Sequence, residues 1–198
     1  LLPIVYSEAY QITKDPFFEN VVKKTLDYVI REMLSSNGTF FSAQDADTNG
    51  EEGQTFVWKK QEVEKILGDD SEIFCIYYDV TDGGNFEGKT ILANNINASS
   101  LAFKFGKNEA EIQNIISNCS DKLLEVRNKR EQPGKDDKVI TSWNGLMISA
   151  FLSGYRITDD SKYLDVAKKS IDFFESNFEK NHILHRTFKN GKPKLNGY

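Results

Sequence analysis

The sequence predicts a mainly α fold: a partial (α/α) toroid interrupted by a small α/β excursion with short strands. Three observations lead there. A hairpin-sized motif occurs twice at a fixed offset. In each copy a helix almost free of charge precedes an amphipathic one. A glycine- and acid-rich stretch separates the copies.

Residues 10–28 and 155–173 align without a gap. Tyr10, Ile12, Thr13, Asp15, Val21, Lys23, Lys24 and Asp27 recur as Tyr155, Ile157, Thr158, Asp160, Val166, Lys168, Lys169 and Asp172. Self-similarity on this scale marks a repeated supersecondary unit, here helix, short turn, helix. In the second helix of the first copy, Val21, Val22, Leu26, Val29, Ile30 and Met33 fall on one face, with Lys23, Lys24, Asp27 and Arg31 elsewhere. In the later copy Val166, Ala167, Ile171, Phe174 and Phe178 follow the same spacing. That period marks a helix buried along one stripe. The preceding helices, 1–12 and 142–157, are nearly uncharged, as befits a helix buried on most sides. Inner uncharged helices paired with outer amphipathic ones, repeated, form two concentric rings; a plain helical bundle is the alternative.

The excursion is less regular. Residues 53–58 and 89–93 read as strands, residues 60–67 and 71–78 as short helices, and Gly68 as the stop of the first. Residues 79–88 read as a glycine-rich loop. A longer helix runs from about Asn108 to Lys129, ended by Gln132-Pro-Gly134. The organisation is therefore 1–34, first hairpin; 35–97, excursion; 98–140, helix and linker; 141–198, second hairpin and tail, all within one domain fragment. In up-down hairpins the short turns near Lys14 and Asp159 share one rim. Residues 35–55, 130–142 and the tail after Phe178 share the other, where a cleft is expected.

Composition narrows the function classes. The chain has 198 residues, 28% charged and 39% hydrophobic, with a net charge of -5. This is a globular composition, and its acidity argues against nucleic acid or an anionic membrane as partner. No apolar run approaches the roughly 18–20 residues of a membrane span. Cys75 and Cys119 stand far apart and outside any C-x-x-C or zinc pattern. They read as reduced core thiols, with one disulfide as the alternative, and point to a cytoplasmic or organellar interior. The chain opens Leu1-Leu2-Pro3-Ile4 without a basic stretch and closes Asn196-Gly197-Tyr198. It reads as a piece of a longer protein with no signal peptide.

Several motifs bear on chemistry. Gly83-Gly-Asn-Phe-Glu-Gly-Lys89-Thr90 matches a phosphate-binding loop in letters, but the following residues suit a strand and not the required helix. A glycine turn is the better reading. Asp45-Ala-Asp47-Thr-Asn49-Gly50 resembles half a calcium loop, yet position 12 is Phe56, where a bidentate Glu belongs. No metal and no cofactor are assigned. Asp45, Asp47, Glu51 and Glu52 lie together on the expected cleft rim, where carboxylates can serve as general acid and base. Asp137 precedes the second inner helix, which Thr141 or Ser142 is expected to cap. Trp143 and Asn144 then offer an aromatic face and an amide, a pairing suited to sugars. Gln44 and Glu87 are further substrate-contact candidates. His182 and His185 are expected to flank a strand.

Three blocks together resemble the spermatogenesis-associated protein 20 / YyaL-type family: Ser42-Ala-Gln-Asp-Ala-Asp with Gly-Glu-Glu-Gly and Val-Trp58; Gly84-Asn-Phe-Glu-Gly88; and Asp136-Asp-Lys-Val-Ile-Thr-Ser-Trp-Asn-Gly-Leu-Met147. The resemblance implies a six-hairpin toroid, similar to N-acylglucosamine 2-epimerase and other glycan-processing folds, preceded by a thioredoxin-like domain. On that basis this chain is the middle of the toroid, an arc with inner-helix surface left uncovered. The implied function is a carbohydrate-binding or carbohydrate-processing cavity. The catalytic candidates are Asp45, Asp47, Glu51, Glu52 and Asp137; the substrate contacts are Gln44, Glu87, Trp143 and Asn144. The alternative is a non-catalytic module that binds clients or partners for the thioredoxin-like domain.

Overall fold

The computed structural model describes residues 1–178, 184–189 and 192–196. It is mainly α, with short strands in small sheets. In chain order the helices are α1 (Leu2–Thr13), α2 (Pro16–Glu32), α3 (Lys60–Leu67), α4 (Ser71–Tyr77), α5 (Ala98–Phe105), α6 (Glu109–Arg127), α7 (Thr141–Thr158) and α8 (Ser161–Phe178). The strands are β1 (Ala43–Gln44), β2 (Asp47–Thr48), β3 (Glu51–Glu52), β4 (Lys135–Asp136), β5 (Val139–Ile140), β6 (His185–Lys189) and β7 (Lys192–Asn196). Where the sequence suggested one domain fragment, contacts divide the chain into two compact units. One is Leu1–Asp45 with Lys135–Tyr198, the other Ala46–Gly134.

The first unit holds both hairpins, and the repeat extends to single hydrogen bonds. Lys14 and Asp159, at equivalent positions, end α1 and α7 in the left-handed conformation, at φ 59° and 54°. Thr13 Oγ1 donates to the Ala9 carbonyl and accepts from the Asp15 N–H, while Asp15 Oδ1 accepts from Phe17 N–H. Thr158 and Asp160 repeat each of these bonds, to Gly154, Asp160 and Lys162. Thr and Asp recur because a hydroxyl and a carboxylate satisfy the amides that a helix start leaves open.

Val22, Leu26, Val29 and Phe40 pack against Ala150, Phe151, Tyr163 and Ala167. The Phe40 and Phe151 rings stack, 5.3 Å between centroids. Gly154 lets α2 approach α7, since a Cβ there would overlap Leu26 Cδ1. α2 buries the predicted face. α8 does not: Tyr163, Ala167, Ser170 and Phe173 are buried, whereas Ile171 is exposed and Phe174 half-buried. The stripe is rotated because Tyr163 turns inward and its hydroxyl donates to Asp27 Oδ1 at 3.0 Å. α1 also departs from expectation, burying only Pro3 and Ser7 and leaving Val5 and Ile12 exposed, Ile12 by 82%. Within this unit β1 pairs with β4 and β5 with β6, so the connections expected to share a rim are hydrogen-bonded to one another. The β6–β7 hairpin extends this pairing; His185 is the first residue of β6, and His182 lies outside the described residues.

The second unit has two apolar clusters of its own. Trp58, Val63, Phe74, Cys119 and Leu123 form one; Ile73, Leu101, Ile112 and Ile116 form the other. The glycine stop at Gly68 stands, at φ 60°. So does the long helix: Asn108 and Glu111 form a reciprocal capping box at the start of α6. α5, opened by the Asn97 side chain and closed by Gly106, was not foreseen. The two predicted strands reduce to one isolated bridge, Trp58 with Thr90. Side chains take the backbone groups that a ladder needs. Asn85 binds both the N–H and the carbonyl of Ile91, at 2.8 and 2.9 Å, and Arg130 Nη1 donates to the carbonyls of Thr55 and Val57, at 2.8 and 2.9 Å. The glycine turn has a steric reason: a Cβ on Gly84 would overlap the Lys89 carbonyl.

Candidate functional site

Trp143 and Asn144 open α7 and face opposite demands. Trp143 is 55% exposed beside a cavity of about 160 Å³ lined by Met33, Phe41, Ile140 and Met147. Asn144 is 1% exposed. Its Oδ1 accepts from Phe40 N–H at 2.7 Å, and its Nδ2 donates to the carbonyls of Phe40 and Ile140, at 3.1 and 3.0 Å. Both amide hydrogens are thus engaged by backbone, and the side chain has no surface for a ligand. Asn144 is a brace that ties residue 40 to the start of α7 and fixes the turn on which Trp143 stands. Neither Thr141 nor Ser142 caps α7: its N-cap is Ile140, without a side-chain cap, and Thr141 Oγ1 donates to the His185 carbonyl on β6.

The acidic run before α7 is an ion cluster. Asp136 faces Lys138 Nζ at 2.9 Å and Lys189 Nζ at 3.5 Å; Asp137 faces Lys189 Nζ at 3.2 Å. The Lys138 ammonium, the largest influence, brings the Asp136 carboxyl down to about 2 despite some desolvation. Asp137 in turn raises Lys189 above the usual lysine range. Ser42 donates to the Asp136 carbonyl from both its N–H and its hydroxyl, each at 3.2 Å, and so anchors β1 to β4. Gln44 is half-buried. Its Oε1 accepts from the Tyr28 hydroxyl at 3.5 Å, and its buried Nε2 has no acceptor among the described residues.

The remaining candidates divide between the units. Asp45, exposed, ends the first segment of the hairpin unit; Asp47, Glu51, Glu52 and Glu87, also exposed, belong to the other. There β2 and β3 set Asp47 opposite Glu52 and Thr48 opposite Glu51. Glu51 lies 3.6 Å from Lys89 Nζ and accepts from Gln54 Nε2 at 3.1 Å. Glu87 occupies a turn with φ 48°. Among the described residues no group of three or more His, Cys, Asp or Glu side chains could hold a metal ion, and no helix is long and apolar enough to cross a membrane.

Both thiols are buried and free. Burial raises each, Cys119 to about 11, which disfavours the nucleophilic thiolate. Sequence reasoning missed Arg130, whose bonds reach Thr55, Val57 and Glu62 far away in sequence; no local pattern marks such a residue.

A family model described as D-glucuronyl C5-epimerase C-terminus matches residues 141–193. Its match begins at the first residue of α7. The chain is also similar to human spermatogenesis-associated protein 20, at 26% identity over 88% of this chain and 25% of that protein. The mouse protein of that name is 28% identical over 76% of this chain and 22% of its own length. An uncharacterized protein of Caenorhabditis elegans is 27% identical over 92% of this chain and 28% of its length. The chain spans about a quarter of the length of these curated relatives. Together the relatives and the epimerase-type match fit a toroid-like domain.

Proposed function

We propose that the hairpin unit contributes a carbohydrate-contact surface to a toroid-like domain, with Trp143 as the stacking platform. The observation behind this reading is a large aromatic ring, 55% exposed beside a cavity, on a backbone turn locked by Asn144. Exposed indoles suit sugars because the flat, apolar C–H face of a pyranose covers the ring while its hydroxyls stay wet. The epimerase-type match spans this residue and suggests a uronic acid unit as the sugar. Gln44, half-buried on β1, is a proposed hydroxyl contact. Asp45, an exposed carboxylate at the end of this unit's first segment, is the proposed acid/base candidate.

The test uses the two indole N–H resonances of Trp58 and Trp143. A glucuronate-containing tetrasaccharide should move the Trp143 signal, and Trp143→Ala should weaken binding about tenfold. An unmoved Trp143 signal at saturating sugar, or unchanged affinity in the variant, overturns the reading.

A second reading has its own observation. Leu2, Val5 and Ile12 form an exposed apolar stripe on α1, which suits a protein partner, such as the thioredoxin-like domain expected from the family resemblance. It predicts that Ile12→Asp abolishes association with that domain and leaves sugar binding intact.

A further inference from the structure

The second unit contains a cavity of about 320 Å³, within the range of small-molecule sites. Arg130 forms part of its wall and is held from several directions. Nη1 donates to two backbone carbonyls, Nη2 donates to Glu62 at 2.7 Å, and the guanidinium lies 3.8 Å from the centroid of the buried Trp58 ring. A guanidinium has five N–H donors. These contacts use three, leaving the Nε–H and one Nη2–H with no acceptor among the described residues. Lys59 and Lys89 also line the cavity. Lys59 has no acidic partner among the described residues, and Lys89 has only a 3.6 Å contact with Glu51. Of the two acids in the lining, Glu62 is neutralised by Arg130 and Glu131 accepts from Asn49 Nδ2 at 2.7 Å. With Arg130 and Glu62 offsetting each other, the three cations of the lining exceed its two acids by one charge, in a chain of net charge -5.

We infer that this cavity binds a small organic anion bearing hydroxyl groups, a sugar carboxylate in chemical class. The carboxylate lies between Lys59 and Lys89 and takes the open donors of Arg130, whose fixed fork loses little freedom on binding. The Gln54 amide and the Glu131 carboxylate supply a donor and acceptors for the hydroxyls. This site is independent of Trp143, and its ligand need not be the one proposed there.

The test titrates the 198-residue chain with D-glucuronate, D-glucose and inorganic phosphate, reading the Trp58 indole N–H and the Lys59 and Lys89 amide resonances. Trp58 reports this cavity through Arg130, and Trp143 reports the other site, so the two proposals fail separately. Glucuronate should shift the Trp58, Lys59 and Lys89 signals. Glucose and phosphate should each bind at least about tenfold more weakly, since one lacks the charge and the other the hydroxyls. Lys59→Gln with Lys89→Gln should weaken glucuronate about tenfold or more, and each single change should weaken it less. The inference is overturned if glucuronate leaves these signals unmoved, if glucose or phosphate matches it, or if the paired substitution leaves its affinity unchanged.

Discussion

The hairpin unit and the unit between its halves are held together by different means. In the hairpin unit, four helices supply one apolar cluster, and identical Thr and Asp bonds close both turns. In the intervening unit there are two apolar clusters, both packed against by Tyr78 and Ile115, and single polar side chains, Arg130 and Asn85 foremost, hold the loop backbone. The first kind of order comes from periodic burial and repeats along the chain. The second depends on a few side-chain bonds, those of Arg130 from far away in sequence, so one substitution should be able to undo much of it.

The sharpest break of that contrast on the hairpin side is Leu26→Ala, which empties a fully buried position in the shared cluster. A loss of about 3–4 kcal/mol is expected from urea unfolding. Arg130→Met should cost about 2–3 kcal/mol in the other unit, because it strands the Thr55 and Val57 carbonyls and leaves Glu62 unpaired. Hydrogen exchange of α3 and α6 amides should speed up accordingly. If Arg130→Met matches an ordinary surface change instead, the intervening unit is packed like its neighbour and the contrast collapses. Asn144→Ala should cost about 2 kcal/mol by orphaning the Phe40 amide.

A pH effect on the hairpin unit should be smaller and has a definite sign. Asp136 titrates lower when folded than its ordinary 3.8, at about 2. Its contribution to stability is therefore complete above about pH 4 and disappears as pH falls through about 2. Asp136→Asn should remove that part of the acid dependence, and acid titrations of the two proteins compared at matched ionic strength measure it. Smallest of all, Ile12→Ser should change stability by less than about 0.5 kcal/mol, since that side chain is 82% exposed.

The same division governs what could be read from the sequence. The hairpins, the turns at Thr13 and Thr158, and the helix boundaries around Gly68 and Asn108 were legible because burial period and capping are local signals. The strands at 53–58 and 89–93 were not, since Arg130, far away in sequence, and Asn85, in the preceding turn, take the ladder groups. The α8 stripe was misread because Tyr163 is recruited inward by Asp27, a residue of the other hairpin. Trp143 as an exposed ring was legible from its place at a helix start; Asn144 as a brace was not, because its partner Phe40 lies far away in sequence.

The most direct test of the central claim is titration of the intact chain with a glucuronate-containing tetrasaccharide, followed through the Trp143 indole N–H. The account predicts a saturable shift that Trp143→Ala abolishes as a signal and that isothermal calorimetry of the variant reports as about tenfold weaker binding. A tetrasaccharide that binds the variant as tightly as the parent chain, or that leaves the Trp143 resonance in place, contradicts it.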